Sequence, residues 1–291
     1  MTIRGDCLPK PRTATRANLL LEAGADLLLG ATCPGCGRPG FRLCPECGVT
    51  VAAHVARPRH KTALEGLPVW ATLPYAGLAS RLITAAKDRH RWDLLPTLSD
   101  CLALALAGLL DTMGTDRAPP PDSARTDRAP PPNWARTDLD RQLDSASTGL
   151  THLTTAGPLA GWPTSVIGLV PIPSSAAAVR RRGLDVAGRL AQRAGRRLGE
   201  VGVTARVVPL LRIVRPVADQ SGLGSVQRRA NLAGAYGLAR GWAAGDRWGP
   251  LVLVDDVVTT GASLAEGWRV VRTAGGTVLG AATVAATEEW T

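Results

Sequence analysis

The stretch Leu251–Ser263, LVLVDDVVTTGAS, constrains the fold of this chain more than any other. Four consecutive apolar residues, Leu251–Val254, call for a short strand buried on both faces. Two acids, Asp255 and Asp256, stand at its carboxyl end, and Thr259, Thr260, Gly261, Ala262 and Ser263 then turn the chain into a helix. A glycine at such a turn lets the backbone come close to a ligand. Successive amide groups and hydroxyls at a helix N-terminus form a cradle for a phosphate dianion. The acids would repel a bare phosphate but are suited to accept hydrogen bonds from sugar hydroxyls. The pattern therefore describes a ribose 5-phosphate, with its phosphate on the turn and its hydroxyls on the acids.

Around this motif, the apolar runs Val166–Ile172, Ala205–Leu211 and Thr277–Val284 alternate with helix-length segments at Ala176–Leu198 and Ala262–Thr273. Runs that are apolar throughout, with helices between them, predict a doubly wound α/β domain over 164–291, a parallel sheet flanked by helices. Upstream, an apolar run at Val69–Leu73 and helical patterns at Ala79–Arg89 and Leu94–Leu110 predict a small mixed unit over 62–112. Residues 1–30 read as an amphipathic helix, because Glu22 and Asp26 interrupt the apolar run Leu19–Leu29. No apolar run approaches the roughly 18 residues of a membrane helix, and the residues before Cys33 fit a signal-cleavage site poorly. The expectation is a cytoplasmic protein with no membrane partner.

Between the two units, TDRAPPPDSAR at 115–125 is followed at once by TDRAPPPNWAR at 126–136. Three consecutive prolines in each repeat exclude a helix, and the composition supplies too little apolar surface to offset ordering entropy. Residues 113–163 are predicted to be a disordered Pro-rich insertion. Lengthening a loop to this extent costs only about 2 kcal/mol of closure entropy, so the fold tolerates it.

The segment 31–50 carries CPGCGRPGFRLCPECG: Cys33-x-x-Cys36, seven residues, then Cys44-x-x-Cys47. Each pair places two sulfurs on one tight turn, and two such knuckles supply a closed tetrahedral set for Zn²⁺ with no position left for water. The expected role is structural. Disulfides or a redox pair are the alternatives at this cluster. Cys7 and Cys101 lie outside it and read as ordinary thiols, and the four histidines are scattered.

These features carry a resemblance. The thirteen residues of Leu251–Ser263 resemble, at every position, the phosphoribosyl diphosphate (PRPP) signature of type I phosphoribosyltransferases. Together with the four-cysteine knuckle, the segment Tyr75–Trp92, Val170–Pro173, the Arg182-Gly183 pair, and Gln220, Leu223, Arg228 and Asn231, the chain is similar to the ComF family of competence-associated, phosphoribosyltransferase-like proteins over most of its length except the insertion.

The resemblance implies that Pro173, Ser174 and Ser175 hold the diphosphate, with Thr259–Ser263 on the 5-phosphate. It implies that Arg215–Asn231 closes over the substrate, with Arg228 or Arg229 reaching the diphosphate as it leaves. Asp255, Asp256 and Arg228 would be the catalytic residues, Mg²⁺ would accompany PRPP, and an unidentified nitrogen acceptor would take the phosphoribosyl group. A homodimer is common among type I relatives. One departure stands out: the family follows Arg-Gly with an aromatic, Asn and Gln, where this chain has Leu184, Asp185 and Val186. That acid, and the lack of a recognisable nucleobase pocket, favour the alternative of a PRPP or nucleotide sensor without transfer activity.

Charge supplies a third alternative. Lysine and arginine number 34 against 24 acids, a net of +10, and only Lys10, Lys61 and Lys87 are lysines. Twelve arginines between Ala176 and Ala230 face only Asp185, Glu200 and Asp219. The stretch suits a solvated helix face, attraction of highly charged PRPP, or single-stranded DNA handled together with the zinc knuckle. Aromatics for base stacking are sparse nearby, Tyr236 and Trp242 being the closest in sequence.

Overall fold

The computed structural model describes residues 32–40, 42–55, 59–64, 66–115, 166–216, 225–242 and 249–287. The expected N-terminal helix over 1–30 and the Pro-rich repeats beyond Thr115 lie outside them.

Six strands form the main sheet: β1 (Arg59–Leu64), β2 (Leu67–Pro74), β3 (Val166–Pro171), β4 (Thr204–Val207), β7 (Pro250–Val258) and β8 (Thr277–Ala286), in the order β1-β2-β8-β7-β3-β4. β1 runs antiparallel to β2 at one edge, and the other five strands are parallel. The expected parallel α/β sheet is therefore present. A separate two-stranded ribbon pairs β5 (Leu211–Ile213) with β6 (Tyr236–Leu238).

Helices cover both faces of the main sheet, and the alternation of side chains along each strand decides which residues they meet. Along β7, Val252 and Val254 face one apolar cluster, while Leu251 and Leu253 face another. The first cluster is covered by α3 (Leu95–Thr115) and α5 (Val186–Glu200), and the second by α7 (Ala262–Thr273) with the β5–β6 ribbon. All four residues are fully buried, as a strand covered on both faces must be. On α5, Val186, Ala187, Leu190, Ala191, Ala194 and Leu198 face inward, leaving its arginines on the outer side.

Segment 62–112 is not set apart from this core. β2 pairs with β8, Val69 opposite Ala281 and Leu73 opposite Ala285, and α3 lies on β2 and β8. Met113, Gly114 and Thr115 close α3, so the compositional change begins after that helix. α3 bears on the membrane question: residues 92–113 are long and apolar enough to cross a membrane, with mean hydropathy 1.5, but 78% of that window is buried inside the protein. It is the central core helix, and no other helix among the described residues reaches that length and hydropathy.

Two predicted elements divide. The helix over Ala176–Leu198 breaks into α4 (Ala176–Arg182) and α5, because Gly183 takes a left-handed conformation (φ 68°) and Asp185 begins a new helix. The apolar run Ala205–Leu211 splits between β4 and β5, with Pro209 lying between them.

Candidate functional site

From β3 the chain crosses through α4 and α5 to β4 on one side, and from β7 it crosses through α7 to β8 on the other. The strand order thus reverses between β3 and β7, and in open α/β sheets a crevice forms outside the carboxyl ends of the strands at that point. The two ends are held together by the backbone bond from Ile172 N to Val254 O at 2.9 Å. Asp255 and Asp256 therefore stand at the mouth of the crevice, beside Pro173, Ser174 and Ser175.

The turn after β7 has the predicted shape. Gly261 is buried and left-handed at φ 74°, at the N-cap of α7, a conformation that favours glycine. Thr260 Oγ1 accepts from Ala262 N at 3.5 Å. The end of β8 braces the turn from behind: Thr287 N donates to Val258 O, and Thr287 Oγ1 donates to Thr259 O at 3.3 Å. Thr259, Thr260 and Ser263 are half-buried and Ala262 is buried.

The two acids have different surroundings. Asp255 accepts from the backbone N–H of Asp256 at 2.9 Å. Burial first, and the Asp256 carboxylate second, push its carboxyl well above the ordinary aspartate range, against the pull of Lys87. Asp256 is 5% exposed, and its Oδ2 is ion-paired with Lys87 Nζ from α2 (Gly77–Asp88), the helix that follows α1 (Pro45–Val55). Burial penalises the Lys87 ammonium, but the two carboxylates outweigh that and raise its pKa above the ordinary lysine value.

Lys87 belongs to a rim that α2 closes against α4. Asp88 lies 3.5 Å from Arg182 Nε, and His90 Nε2 lies 3.4 Å from Arg181 O. His90 is the one non-glycine residue with positive φ (55°) among the described residues, marking the sharp turn that carries the chain from α2 to Trp92.

Tyr236 of β6 completes the inner wall. It is 5% exposed, its side chain is hydrogen-bonded with that of Ser263, and burial raises its phenol pKa to about 12. Glu266 of α7 holds β6 in place, accepting from Tyr236 N at 3.4 Å and from Arg269 through two 2.8 Å bonds.

The remaining predicted residues are placed as follows. Ser175 caps α4, its Oγ accepting from Ala178 N at 3.1 Å. Ser174 is hydrogen-bonded with Asp185, whose carboxyl is raised by burial against the opposing effects of Gly188 N–H and Ser174. The Asp185 carboxylate folds over the first turn of its own helix, where a Cβ on Gly188 would collide with it. The acid that departs from the family pattern is thus accommodated at a helix N-terminus. Arg228 and Arg229 lie on α6 (Ser225–Leu232), with their side chains outside the described residues, as are residues 217–224. Arg215 is structural, donating to Asn231 O at 2.9 Å and Ala233 O at 2.6 Å at the end of α6.

The four cysteines form a separate centre. Their sulfurs all lie within 4.8 Å of one another, Cys36 and Cys44 at 3.6 Å, against a sulfur separation of about 3.8 Å for tetrahedral zinc thiolates. Cys44 N donates to Cys33 Sγ at 3.3 Å. Burial raises the Cys33 thiol, but bonds from the backbone N–H groups of Cys44, Cys36 and Gly35 outweigh it and bring the pKa down to about 6, favouring the thiolate a metal requires. No water position is needed to complete four sulfur ligands, so the set fits a structural Zn²⁺. Cys101, 1% exposed and pushed up to about 12 by burial, is a core thiol.

The acids, the turn and the cysteines fall in consecutive or closely spaced motifs, whereas Lys87 and the wall position of Tyr236 belong to no local motif. The one available signal for Lys87 was its type, a rare lysine in an arginine-rich chain. Compared with known proteins, the chain matches no family model, and no curated protein matches it.

Proposed function

We propose that the chain is a phosphoribosyltransferase-like protein of ComF type that binds PRPP with Mg²⁺ and transfers phosphoribose to a nitrogen acceptor. The observation that carries this reading is the juxtaposition at the β3–β7 crevice of a buried acid pair and a Gly261-led helix N-terminus. In this reading the N–H groups and hydroxyls of Thr259–Ser263 hold the 5-phosphate, and Asp255 and Asp256 accept from the ribose hydroxyls. Pro173, Ser174 and the exposed start of α4 border the diphosphate, and Arg228 or Arg229 approaches from α6. The acceptor nitrogen forms a bond to C1 while the C1–oxygen bond breaks, and the electron pair leaves with the diphosphate.

Both acids already have protein partners, so their chemistry suits a cation held mainly by ligand oxygens and only indirectly by carboxylates. Bound in that way, Mg²⁺ supplies charge neutralisation at the diphosphate. The protein's part is electrostatic: fixed donors and cations act where charge develops, and no covalent nucleophile is required.

The test is calorimetric titration of PRPP with Mg²⁺ into the wild type and into the double variant Asp255→Asn/Asp256→Asn, followed by diphosphate release with a panel of bases. Binding lost in the double variant, and release with one base, are the expected results. Binding without release by any base would turn the reading to a sensor. A wild type that does not bind PRPP would overturn it.

A further inference from the structure

The crevice contains an electrostatic conflict that Lys87 resolves. Two adjacent carboxylates stand one turn away from a cradle suited to a dianion, and like charges so close suppress ligand binding. We infer that Lys87 is a positioning residue of this site, its ammonium being the tethered counter-charge that makes the Asp255–Asp256 pair compatible with a phosphorylated sugar. The inference rests on the phosphoribosyl reading above.

Three observations converge on it. Lys87 arrives from α2, far away in sequence, and its Nζ contacts Asp256 Oδ2 with the two side chains only 27% and 7% exposed. The end of α2 is fixed where that contact requires it, by Asp88 against Arg182 and by His90 against the carbonyl of Arg181. The residue is also one of only three lysines among 34 basic residues. A compact ammonium with three donors on a flexible stem can serve a carboxylate and a ligand oxygen at once, whereas a guanidinium fork is committed to one plane.

The charges around Lys87 are complementary to this role. Asp255 and Asp256 face it from β7, Asp88 adjoins it on α2, and Arg182 approaches from α4. Without Lys87, Asp256 would be a buried carboxylate lacking its cation, and the incoming phosphates would meet the uncompensated acid pair. A divalent cation delivered with the ligand is the natural substitute, so loss of Lys87 should transfer to Mg²⁺ a task the lysine performs in the wild type.

The experiment measures PRPP affinity at limiting and at saturating Mg²⁺ for the wild type, Lys87→Gln, Lys87→Arg and the charge-cancelling double variant Lys87→Gln/Asp256→Asn, each checked by thermal melting. Lys87→Gln should bind PRPP about tenfold or more weakly at limiting Mg²⁺ and recover much of that loss at saturating Mg²⁺. Lys87→Arg should stay closer to the wild type. Should Lys87→Gln fold poorly, the double variant removes both members of the buried pair, and with Asp255 then the one acid left uncompensated it should show the same Mg²⁺-dependent loss in reduced degree. Equal affinities at both Mg²⁺ levels, or a loss that Mg²⁺ does not change, overturn the inference while leaving the phosphoribosyl reading intact. A wild type that binds no PRPP overturns both.

Discussion

Arg197, near the end of α5, grips Asp100, near the start of α3, through Nε–Oδ1 at 2.7 Å and Nη2–Oδ2 at 3.3 Å. The pair ties the helix that precedes the Pro-rich repeats to one that follows them. The Asp100 side chain is 11% exposed and that of Arg197 40%, and Arg197 also reaches Glu200, 60% exposed, at 2.9 Å. A bidentate, half-buried pair should outweigh an exposed one on the same helix. Discounted for the exposure of Arg197, a double-mutant cycle of Asp100→Ala and Arg197→Ala should give a coupling of about 1–2 kcal/mol. The corresponding cycle for Arg197 and Glu200 should give about 0.3–0.5 kcal/mol. Equal couplings in chemical denaturation would contradict this account.

Gly280 of β8 should tolerate no side chain. A Cβ there would stand 2.7 Å from the carbonyl oxygen of Pro68 and 2.7 Å from Leu109 Cδ1, and the first of these is backbone that a rotamer change cannot move. Gly280 also faces Val252, where the register of β7 and β8 shifts. Gly280→Ala should cost about 1–3 kcal/mol, a fall of several degrees in melting temperature. An unchanged Tm would mean that β2 and α3 give way more readily than their packing against β8 implies.

The features legible in the sequence were those whose partners lie close by along the chain. The strand, acids and turn of Leu251–Ser263 are consecutive, and the four cysteines fall within fifteen residues, so spacing alone announces them. The break at Gly183 was legible in principle, since a glycine followed two residues later by an aspartate is a helix end meeting a helix start, but the arginine-rich helical pattern on both sides concealed it. Lys87 was not legible in this way. Its meaning depends on α2 being carried over the mouth of the sheet by β2 pairing beside β8, a contact between segments about 200 residues apart that no local pattern encodes. The apparent separateness of 62–112 has the same origin: the repeats interrupt the sequence, but β2 and α3 enter a core shared with β7 and β8.

The cysteine centre should respond to metal removal locally. Structural zinc contributes on the order of 10 kcal/mol of apparent binding energy to segments of this kind. Here the knuckle is also docked on its neighbours: Arg91 Nη1 donates to Thr32 O at 2.8 Å, and a Cβ on Gly35 would stand 2.6 Å from Leu78 Cδ1. Chelation, or Cys44→Ser, should therefore abolish hydrogen-exchange protection over 33–47 and loosen the start of α2, while β3, β7 and β8 stay protected. Elemental analysis should find one zinc per wild-type chain. Protection over 33–47 that survives a strong chelator would favour disulfides over metal.

Asp255 is expected to cost stability at neutral pH. Its folded-state pKa lies well above the ordinary value of 3.8, first because of burial and then because of the Asp256 carboxylate. A carboxyl raised in this way binds its proton more tightly in the folded protein than in the unfolded chain. Its favourable contribution is fully present below the unfolded pKa and is lost as pH rises through the folded one. Asp255→Asn removes the desolvated charge and leaves the Lys87–Asp256 pair in place. The variant should thus melt at a higher temperature than the wild type at pH 7, and the advantage should shrink on acidification and vanish below about pH 4, where Asp255 is protonated in both states. PRPP binding should fall in the same variant, because the amide is a poorer acceptor for a ribose hydroxyl than the carboxylate. Melting curves across pH 3 to 8 decide the matter: an advantage that persists unchanged into acid would assign the effect to packing instead of charge.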